Sequence, residues 1–399
     1  MTGHTIMFST SRCSSLGLCG VLLATSCLML ASCSSEPLLT ASHDLPREGS
    51  EIGTDGHHDL MIGRFHVWMT AQNRSYFTSD EKARRFEVYR SNMRYIEAVN
   101  AGATTSGLTY ELGEGPFTDL THEEFMALYT GQIQEDDEQI IITHVGPVNG
   151  AGTHEGVTVY ANFSAKVPSS VDWRKRGAVT PVKDQGKCGC CWAFAAVGAI
   201  EGLHKIKRGT LVSLSEQQLL DCDYFNNGCN GGRASRAFQW IQQNGGITAT
   251  SSYGYKGATG RCRTNRKPAA KITGSQRVES NSEVSLRNAV ANRPIAVSIA
   301  SNSSHFHHYK RGIFNGPCST TKLTHAVTVV GYGRQAQNGA KYWIVKNSWG
   351  PAWGEKGYML IKRGTTNPSG QCGIATRPVF PLMKVKQDDI SDSHDIWDA

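Results

Sequence analysis

The chain has 399 residues, of which 39% are hydrophobic and 19% are charged, so it is long enough to bury a substantial core. It has no three-residue glycine period, heptad array or longer repeat, which excludes collagen-like, coiled-coil and solenoid proteins. Residues 1–165 carry 9 Lys and Arg against 20 Asp and Glu, whereas residues 166–399 carry 32 against 14. We therefore expect an acidic first part to meet a basic second part.

The N-terminus has the pattern of a secretory signal peptide. Arg12 precedes an apolar run over residues 16–31 that is too short for a membrane-spanning helix. We predict that residues 1–31 are removed and that the mature protein is soluble, because no second hydrophobic span follows. The alternative is a bacterial lipoprotein cleavage box at Leu30 to Cys33.

Four of the twelve cysteines, through Cys33, lie in or at this targeting segment; the other eight lie in the basic part, and an oxidising compartment favours disulfides among them. Spacing alone does not choose the pairs, because eight cysteines allow many connectivities. These cysteines are Cys188, Cys190, Cys191, Cys222, Cys229, Cys262, Cys318 and Cys372. Glycosylation sequons, which fit the same compartment, begin at Asn73, Asn162 and Asn302.

A long charged helix is predicted after Thr78. The sequence from Thr78 to Glu81 matches a capping box, and no Pro or Gly interrupts the chain through Ala101.

Residues 132–166 have the composition of an acidic, glycine-rich linker open to proteolysis. Residues 384–399 extend the chain as an acidic tail that we expect to be disordered.

A nucleophile is favoured at Cys191, which begins a segment that is apolar on nearly every face and extends to Arg208. Unpaired backbone N–H groups at the start of a helix lower the pKa of a thiol there. The alternative is a cysteine that fills the core or forms a disulfide.

Four further residues complete the chemistry of a cysteine nucleophile. His325, at the start of a β-branched strand, has the proton-transfer chemistry of a general base and then acid. Asn347 ends a second strand and can orient the imidazole, while the neighbouring Trp349 excludes water from that hydrogen bond. The side chain of Gln185 can donate to an oxyanion together with the backbone N–H of Cys191.

Taken in order, these motifs resemble the papain family of cysteine proteases, in its secreted or vacuolar plant type. The resemblance covers roughly residues 60–130 and 166–381. The motifs that carry it are Gln185, Cys188-Gly189, Cys191-Trp192, Gly228 to Gly232, His325 and Asn347 to Gly350.

The acidic part resembles the inhibitory propeptide of the same family. Two motifs carry this: Glu81, Arg85, Tyr89, Asn92, Ile96 and Asn100 on one helical face, then Gly113, Gly115, Phe117 and Asp119. Gly115 stands where the family has Asn. Without the resemblance, the helix reads as a solvated charged surface.

The resemblance implies an α+β fold of two lobes, one helical and one β-barrel-like, with the active-site cleft between them. The predicted domains are a signal peptide (1–31), a propeptide (32–165) whose helical inhibitory part spans about 60–130, a peptidase (166–383) and the tail (384–399). Disulfides implied by the family are Cys188–Cys229, Cys222–Cys262 and Cys318–Cys372. Cys190 and Cys191 then remain, and Cys190 is interpreted as a passive neighbour because adjacent helix residues point in different directions.

The family's substrate-binding positions fall on Gly231, Gly232, Arg233, Ala234, Ser298, Thr324, Ala326, Trp349 and Arg377. The family norm at Arg233 and Ala234 is an aromatic or aliphatic residue followed by Pro or Met. One hypothesis is that Arg233 and Arg377 admit polar or acidic side chains at P2, the second residue before the cleaved bond. The alternative is that both arginines extend into solvent and leave a small, ordinary pocket.

The histidines at 305, 307 and 308 allow a metal-site reading, but we predict a surface loop because no cysteine or carboxylate partner is spaced for a metal.

The sequence thus predicts a cysteine endopeptidase made as an autoinhibited zymogen, with no metal or organic cofactor. The alternative of another class is a catalytically silent binding or storage protein on this fold. A third reading makes the released propeptide a protease inhibitor in its own right.

The expected partners are protein and peptide substrates, the chain's own propeptide and cystatin-like inhibitors. No nucleic acid or membrane partner is expected, and the protein is predicted to be a monomer in the secretory pathway, the vacuole or lysosome, or the extracellular space.

Because protonation of Asp and Glu weakens attraction between the acidic and basic parts, we predict self-cleavage in the linker at acidic pH.

Overall fold

The computed structural model of the protein describes residues 54–131, 151–154, 157–160 and 167–384. The signal peptide, the lipoprotein box, Asn162, most of the linker and the tail beyond residue 384 lie outside this part of the chain. Within it, no helix combines the length and the apolar character that crossing a membrane requires.

The N-terminal unit consists of three helices and a short strand. They are α1 (Thr54–Ala71), α2 (Ser79–Ala101), β1 (Tyr110–Leu112) and α3 (His122–Tyr129). Helix α2 has the predicted bounds, because Thr78 Oγ1 accepts the backbone N–H of Glu81 at its start and Gly102 follows its end. The ring of Tyr89 packs against Phe65 and Trp68 from α1, which holds the two helices together.

The α2 face that carries the propeptide motif is packed against the rest of the unit. Asn92 Nδ2 donates to the carbonyls of Thr118 and Leu120, at 2.8 and 2.9 Å. Asn100 Nδ2 donates to the carbonyl of Leu112 at 2.8 Å. This face therefore binds backbone groups and is not the solvated surface of the alternative reading.

The helical lobe follows the linker and is centred on the predicted apolar helix. Its helices are α4 (Cys191–Arg208), α5 (Glu216–Cys222) and α6 (Ala234–Gln243), with a 3₁₀ turn at Gly228–Asn230. Helix α4 ends at Gly209, whose φ of 74° lies in the left-handed region that glycine adopts without steric cost. Their buried apolar side chains form one core, separate from the core beneath the sheet.

The remaining strands and helices form the β-rich lobe and the linker hairpin. They are β2 (Ala151–His154), β3 (Val157–Tyr160), β4 (Val171–Asp172), β5 (Gly274–Val278), α7 (Glu283–Asn292), β6 (Ile295–Ile299), α8 (Ser304–His307), β7 (Tyr309–Phe314), β8 (His325–Arg334), β9 (Lys341–Lys346), β10 (Tyr358–Lys362) and β11 (Val379–Leu382), with a 3₁₀ turn at Gln371–Gly373. The sheet order over the described strands is β1-β7-β10-β9-β8-β6-β11-β5-β3-β2, and β4 pairs with β8.

Three disulfides join Cys188 to Cys229, Cys222 to Cys262, and Cys318 to Cys372. These are the pairs that the resemblance implies. Cys190 and Cys191 are buried and unpaired.

A buried ion network lies between α4 and α5, where the sequence shows only a mostly apolar helix. Lys183 Nζ contacts Glu201 Oε1 at 2.8 Å and Glu216 Oε1 at 2.7 Å, and both carboxylates are buried. Burial lowers the pKa of Lys183, but the two carboxylates outweigh it, so the net shift is upward and the charge is retained.

Replacement of Lys183 by methionine is expected to destabilise the protein by about 3–5 kcal/mol, since two carboxylates would remain buried without their cation. Urea unfolding of the precursor measures this, with Lys187→Met as the control because Lys187 is exposed. Equal urea midpoints for the two variants would contradict the prediction.

Candidate active site

Cys191 is the first residue of α4 and is buried. Its sulfur accepts the backbone N–H of Ala326 at 3.3 Å. Since Ala326 follows His325 at the start of β8, this contact joins the two lobes at the predicted nucleophile and base.

His325 and Asn347 meet because β8 and β9 are antiparallel neighbours, so the first residue of β8 lies beside the residue that follows β9. His325 Nε2 donates to Asn347 Oδ1 at 2.7 Å, and the backbone N–H of Ser348 donates to the same oxygen at 2.8 Å. Trp349 stacks on the imidazole with ring centroids 4.4 Å apart. In the neutral ring, this bond leaves the lone pair on Nδ1, which has no hydrogen-bond partner among the described residues.

Gln185 is held by its neighbours with its amide nitrogen directed into the cleft. Ser348 Oγ donates to Gln185 Oε1 at 2.6 Å, so the amide oxygen is fixed. Gln185 Nε2 donates to the carbonyl of Cys188 at 2.9 Å and to that of Tyr129 at 3.4 Å.

The end of the N-terminal unit crosses the cleft directly over Cys191. The carbonyl of Tyr129 accepts from Trp349 Nε1 at 3.0 Å, and the backbone N–H of Gly131 donates to Thr324 O at 3.0 Å. A Cβ at Gly131 would lie 2.8 Å from the carbonyl of Gly189 and 3.4 Å from Cys191 Sγ. Residues 129–131 therefore occupy the space that a substrate backbone needs.

The covered cleft changes the protonation state expected from the sequence. Burial raises the pKa of Cys191 to about 11, although backbone N–H groups of Ala326, Trp192 and Gly131 act in the opposite direction. Burial also lowers the pKa of His325 to about 4, against the hydrogen bond with Asn347. The expected lowering of the thiol pKa is thus wrong for this state, because desolvation outweighs the helix N-terminus. Near neutral pH the pair is a thiol and a neutral imidazole.

The N-terminal unit also extends the sheet of the β-rich lobe. Strand β1 pairs with β7 in antiparallel register, Tyr110 opposite Gly312. The backbone N–H of Ile313 donates to Thr109 O at 2.9 Å, and Arg311 Nε lies 2.5 Å from Glu111 Oε2. Main-chain pairing and opposite charges therefore hold this unit across the cleft.

The predicted surface loop at His305, His307 and His308 is wrong, because His305 and His307 lie in α8 and both His307 and His308 are buried. His307 and His308 are each 3% exposed, because the N-terminal unit covers them. The ring of Phe125 stacks on His307 at 4.1 Å, and His307 Nε2 donates to the carbonyl of Phe117 at 3.1 Å. Among the described residues, no group of three metal-ligating side chains is arranged to hold a metal ion.

A pocket adjoins Cys191 through Ala326 and includes five of the nine predicted substrate-binding residues: Arg233, Ala234, Ser298, Ala326 and Arg377. Thr324 and Trp349 instead hold the segment over the cleft. Gly231 and Gly232 lie ahead of α6; a Cβ at Gly232 would lie 2.4 Å from Asn226 Oδ1.

Arg233 is buried, so the alternative in which it extends into solvent is wrong. Arg277 also lines the pocket and was missed, because only the pairing of β5 with β11 brings it there. Of the predicted glycosylation sites, Asn73 and Asn302 are exposed.

Known protein families match both the two-lobe part of the chain and the N-terminal unit. The model of the papain family of cysteine proteases matches residues 167–382, more than half of the chain. The chain belongs to the papain family. The cathepsin propeptide inhibitor domain matches residues 65–125 of this protease, within the unit that crosses the cleft.

Plant proteins resemble the protease over most of its length. Ananain from Ananas comosus is 43% identical over 84% of this chain and 92% of its own, and chymopapain from Carica papaya is 43% identical over 81% and 87%. A solved recombinant stem bromelain precursor is 44% identical, with a TM-score of 0.72, over 82% of this chain and all of its own. The protein is therefore a cysteine endopeptidase zymogen of papain-like fold, and not the silent binding or storage protein of the alternative reading.

Proposed function

We propose that Cys191 is the nucleophile of this endopeptidase and that His325 is its base and then its acid. Asn347 orients the imidazole through the bond to Nε2, which directs the proton-accepting Nδ1 lone pair away from Asn347. Gln185 Nε2 and the backbone N–H of Cys191 stabilise the oxyanion. The single observation that supports these roles is the fixed His325–Asn347 pair beside a thiol over which residues 129–131 pass.

In the uncovered cleft, His325 removes the thiol proton and the sulfur attacks the peptide carbonyl. The carbon–nitrogen bond breaks as the imidazolium gives its proton to the leaving amine, which leaves a thioester on Cys191. His325 then removes a proton from water, the hydroxide attacks the thioester, and the thiol is restored with release of the carboxylic acid.

Labelling with a peptidyl epoxide tests this proposal. The intact precursor at pH 7 is expected to remain unlabelled because residues 129–131 cover the sulfur. The processed enzyme is expected to carry one adduct on Cys191, located by mass spectrometry, and to lose peptide hydrolysis. An adduct on Cys190, or none on a folded and processed enzyme, would overturn the assignment.

Activation at acidic pH is part of the proposal, and the buried histidines support it alongside the carboxylates. Burial and the neighbouring imidazole of His308 hold the pKa of His307 well below its usual value, and burial with the imidazoles of His122 and His305 lowers the pKa of His308 to about 3. His122 belongs to the N-terminal unit, whereas the other three belong to the β-rich lobe. Protonation favours the undocked form, in which these imidazoles regain water.

We also propose a secretory or vacuolar location, since the sequence begins with a signal-like segment and the described chain holds three disulfides. Cystatin-like inhibitors, a monomeric state and inhibition by the released propeptide belong to this proposal. The domain boundaries at 31, 165 and 383 remain predictions.

A further inference from the structure

The pocket beside the nucleophile gathers arginines from three distant parts of the sequence. Arg233 immediately precedes α6, Arg277 lies on β5, and Arg377 lies just before β11. The pairing of Arg277 with Val379 brings β5 and β11 together, so the sheet register sets the positions of two of these side chains.

The pocket lies beside the nucleophile, because one residue belongs to both. Ala326 lines it and also donates its backbone N–H to Cys191 Sγ at 3.3 Å. The P2 residue directly precedes the residue whose carbonyl reacts, and consecutive Cα atoms lie only about 3.8 Å apart. This pocket is therefore within reach of the P2 side chain.

The lining is strongly biased in charge. The described residues that line it include three arginines and neither Asp nor Glu, and Ala234 and Ser235 add the first turn of α6, the positive end of its dipole. Arg233 is 6% exposed. Burial lowers the pKa of Arg277, but guanidinium groups remain charged in proteins.

An uncharged, apolar P2 side chain would desolvate these guanidinium groups and return no hydrogen bond. A carboxylate matches the forked geometry of a guanidinium and forms charge-assisted hydrogen bonds with it. The small side chains of Ala234 and Ala326 leave room beside the charges.

We infer that Arg233, Arg277 and Arg377 make this enzyme selective for peptides with Glu or Asp at P2. The inference rests on the proposed catalytic function and adds Arg277 as a specificity-determining residue. The positive charge at these positions comes from the side chains of this chain, since the two-lobe fold itself does not fix which residues stand there.

Matched fluorogenic peptides that differ only at P2 test the inference on the processed enzyme. At pH 6 and low salt, kcat/KM for P2 Glu is expected to exceed that for P2 Gln and P2 Leu by about tenfold, the value of one good charge-assisted contact. The Glu to Gln ratio is expected to fall as the pH drops from 6 to 4, because a glutamate side chain protonates near pH 4.3.

Variants identify the residues responsible. Arg277→Gln and Arg377→Gln are each expected to reduce the Glu to Gln ratio about threefold or more while P2 Leu turnover is retained. Arg266→Gln removes an exposed charge outside the pocket and is expected to leave the ratio unchanged.

The outcomes distinguish a failure of the P2 inference from a failure of the catalytic proposal. Rapid cleavage of P2 Leu with P2 Glu no better than P2 Gln would overturn the inference and leave the catalytic proposal intact. No cleavage of any peptide, with no epoxide adduct, would instead overturn the catalytic proposal. The substrate comparison uses the unaltered enzyme, so it decides the question even if an arginine variant fails to fold.

Discussion

Replacement of Cys191 by alanine is expected to lower peptide hydrolysis by about five orders of magnitude or more, the scale seen when a covalent nucleophile is removed. His325, Asn347 and Gln185 remain in such a variant, but no thioester can form. The measurement is kcat/KM on processed enzyme, with active-site titration to exclude traces of wild-type enzyme. Because the variant cannot process itself, its propeptide must be removed in trans.

Cys190→Ala is the matched control, since it removes the adjacent thiol. Cys190 is fully buried, its sulfur lies 3.1 Å from Tyr255 Oη, and burial raises the pKa of its thiol. The Tyr255 hydroxyl also donates to the carbonyl of Gln185 at 2.6 Å, which places Cys190 behind the site. We expect this variant to keep activity within about threefold of wild type. Equal losses in the two variants would show that the nucleophile is misassigned.

Lowering the pH from 7 to 4.5 is expected to undock the N-terminal unit from the protease. The free imidazole has a pKa of about 6.5, whereas docking lowers the pKa of His307 and His308, so the docked form binds fewer protons. Their contribution to docking is complete above pH 6.5 and is lost as the pH falls towards the docked pKa. At pH 4.5 each buried imidazole costs up to about 2.7 kcal/mol.

Tryptophan fluorescence of the Cys191→Ala precursor follows undocking without self-cleavage, because Trp349 lies beneath Tyr129. A midpoint between about pH 4.5 and 6.5 is expected from the histidines. The carboxylate account predicts a lower midpoint, since Asp and Glu side chains protonate near pH 4.

His307→Gln combined with His308→Gln is expected to move the midpoint to lower pH, because glutamine does not titrate. His66→Gln is the control, since His66 is exposed on α1. An unchanged midpoint in the double variant would assign the pH response to carboxylates alone.

Much of the site follows from local sequence. Thr78 and Gly102 bound α2, and Gly209 ends α4, because capping and left-handed backbone preferences act within a few residues. The nucleophile, base and orienting amide were predicted from residue type and order, since each requires a specific functional group at the end of a regular element.

The properties that depend on contact between distant segments were decided by the tertiary structure. The neutral Cys191–His325 pair reflects burial of both groups in the cleft that residues 129–131 cross, and His307 packs against Phe117 and Phe125 of the N-terminal unit. Arg277 joins Arg233 and Arg377 only through the register of β5 on β11. Sequence by itself determined which groups are present and where elements begin and end. Desolvation and charge proximity depend on what lies opposite each group in space, so only the tertiary structure decided protonation and pocket charge.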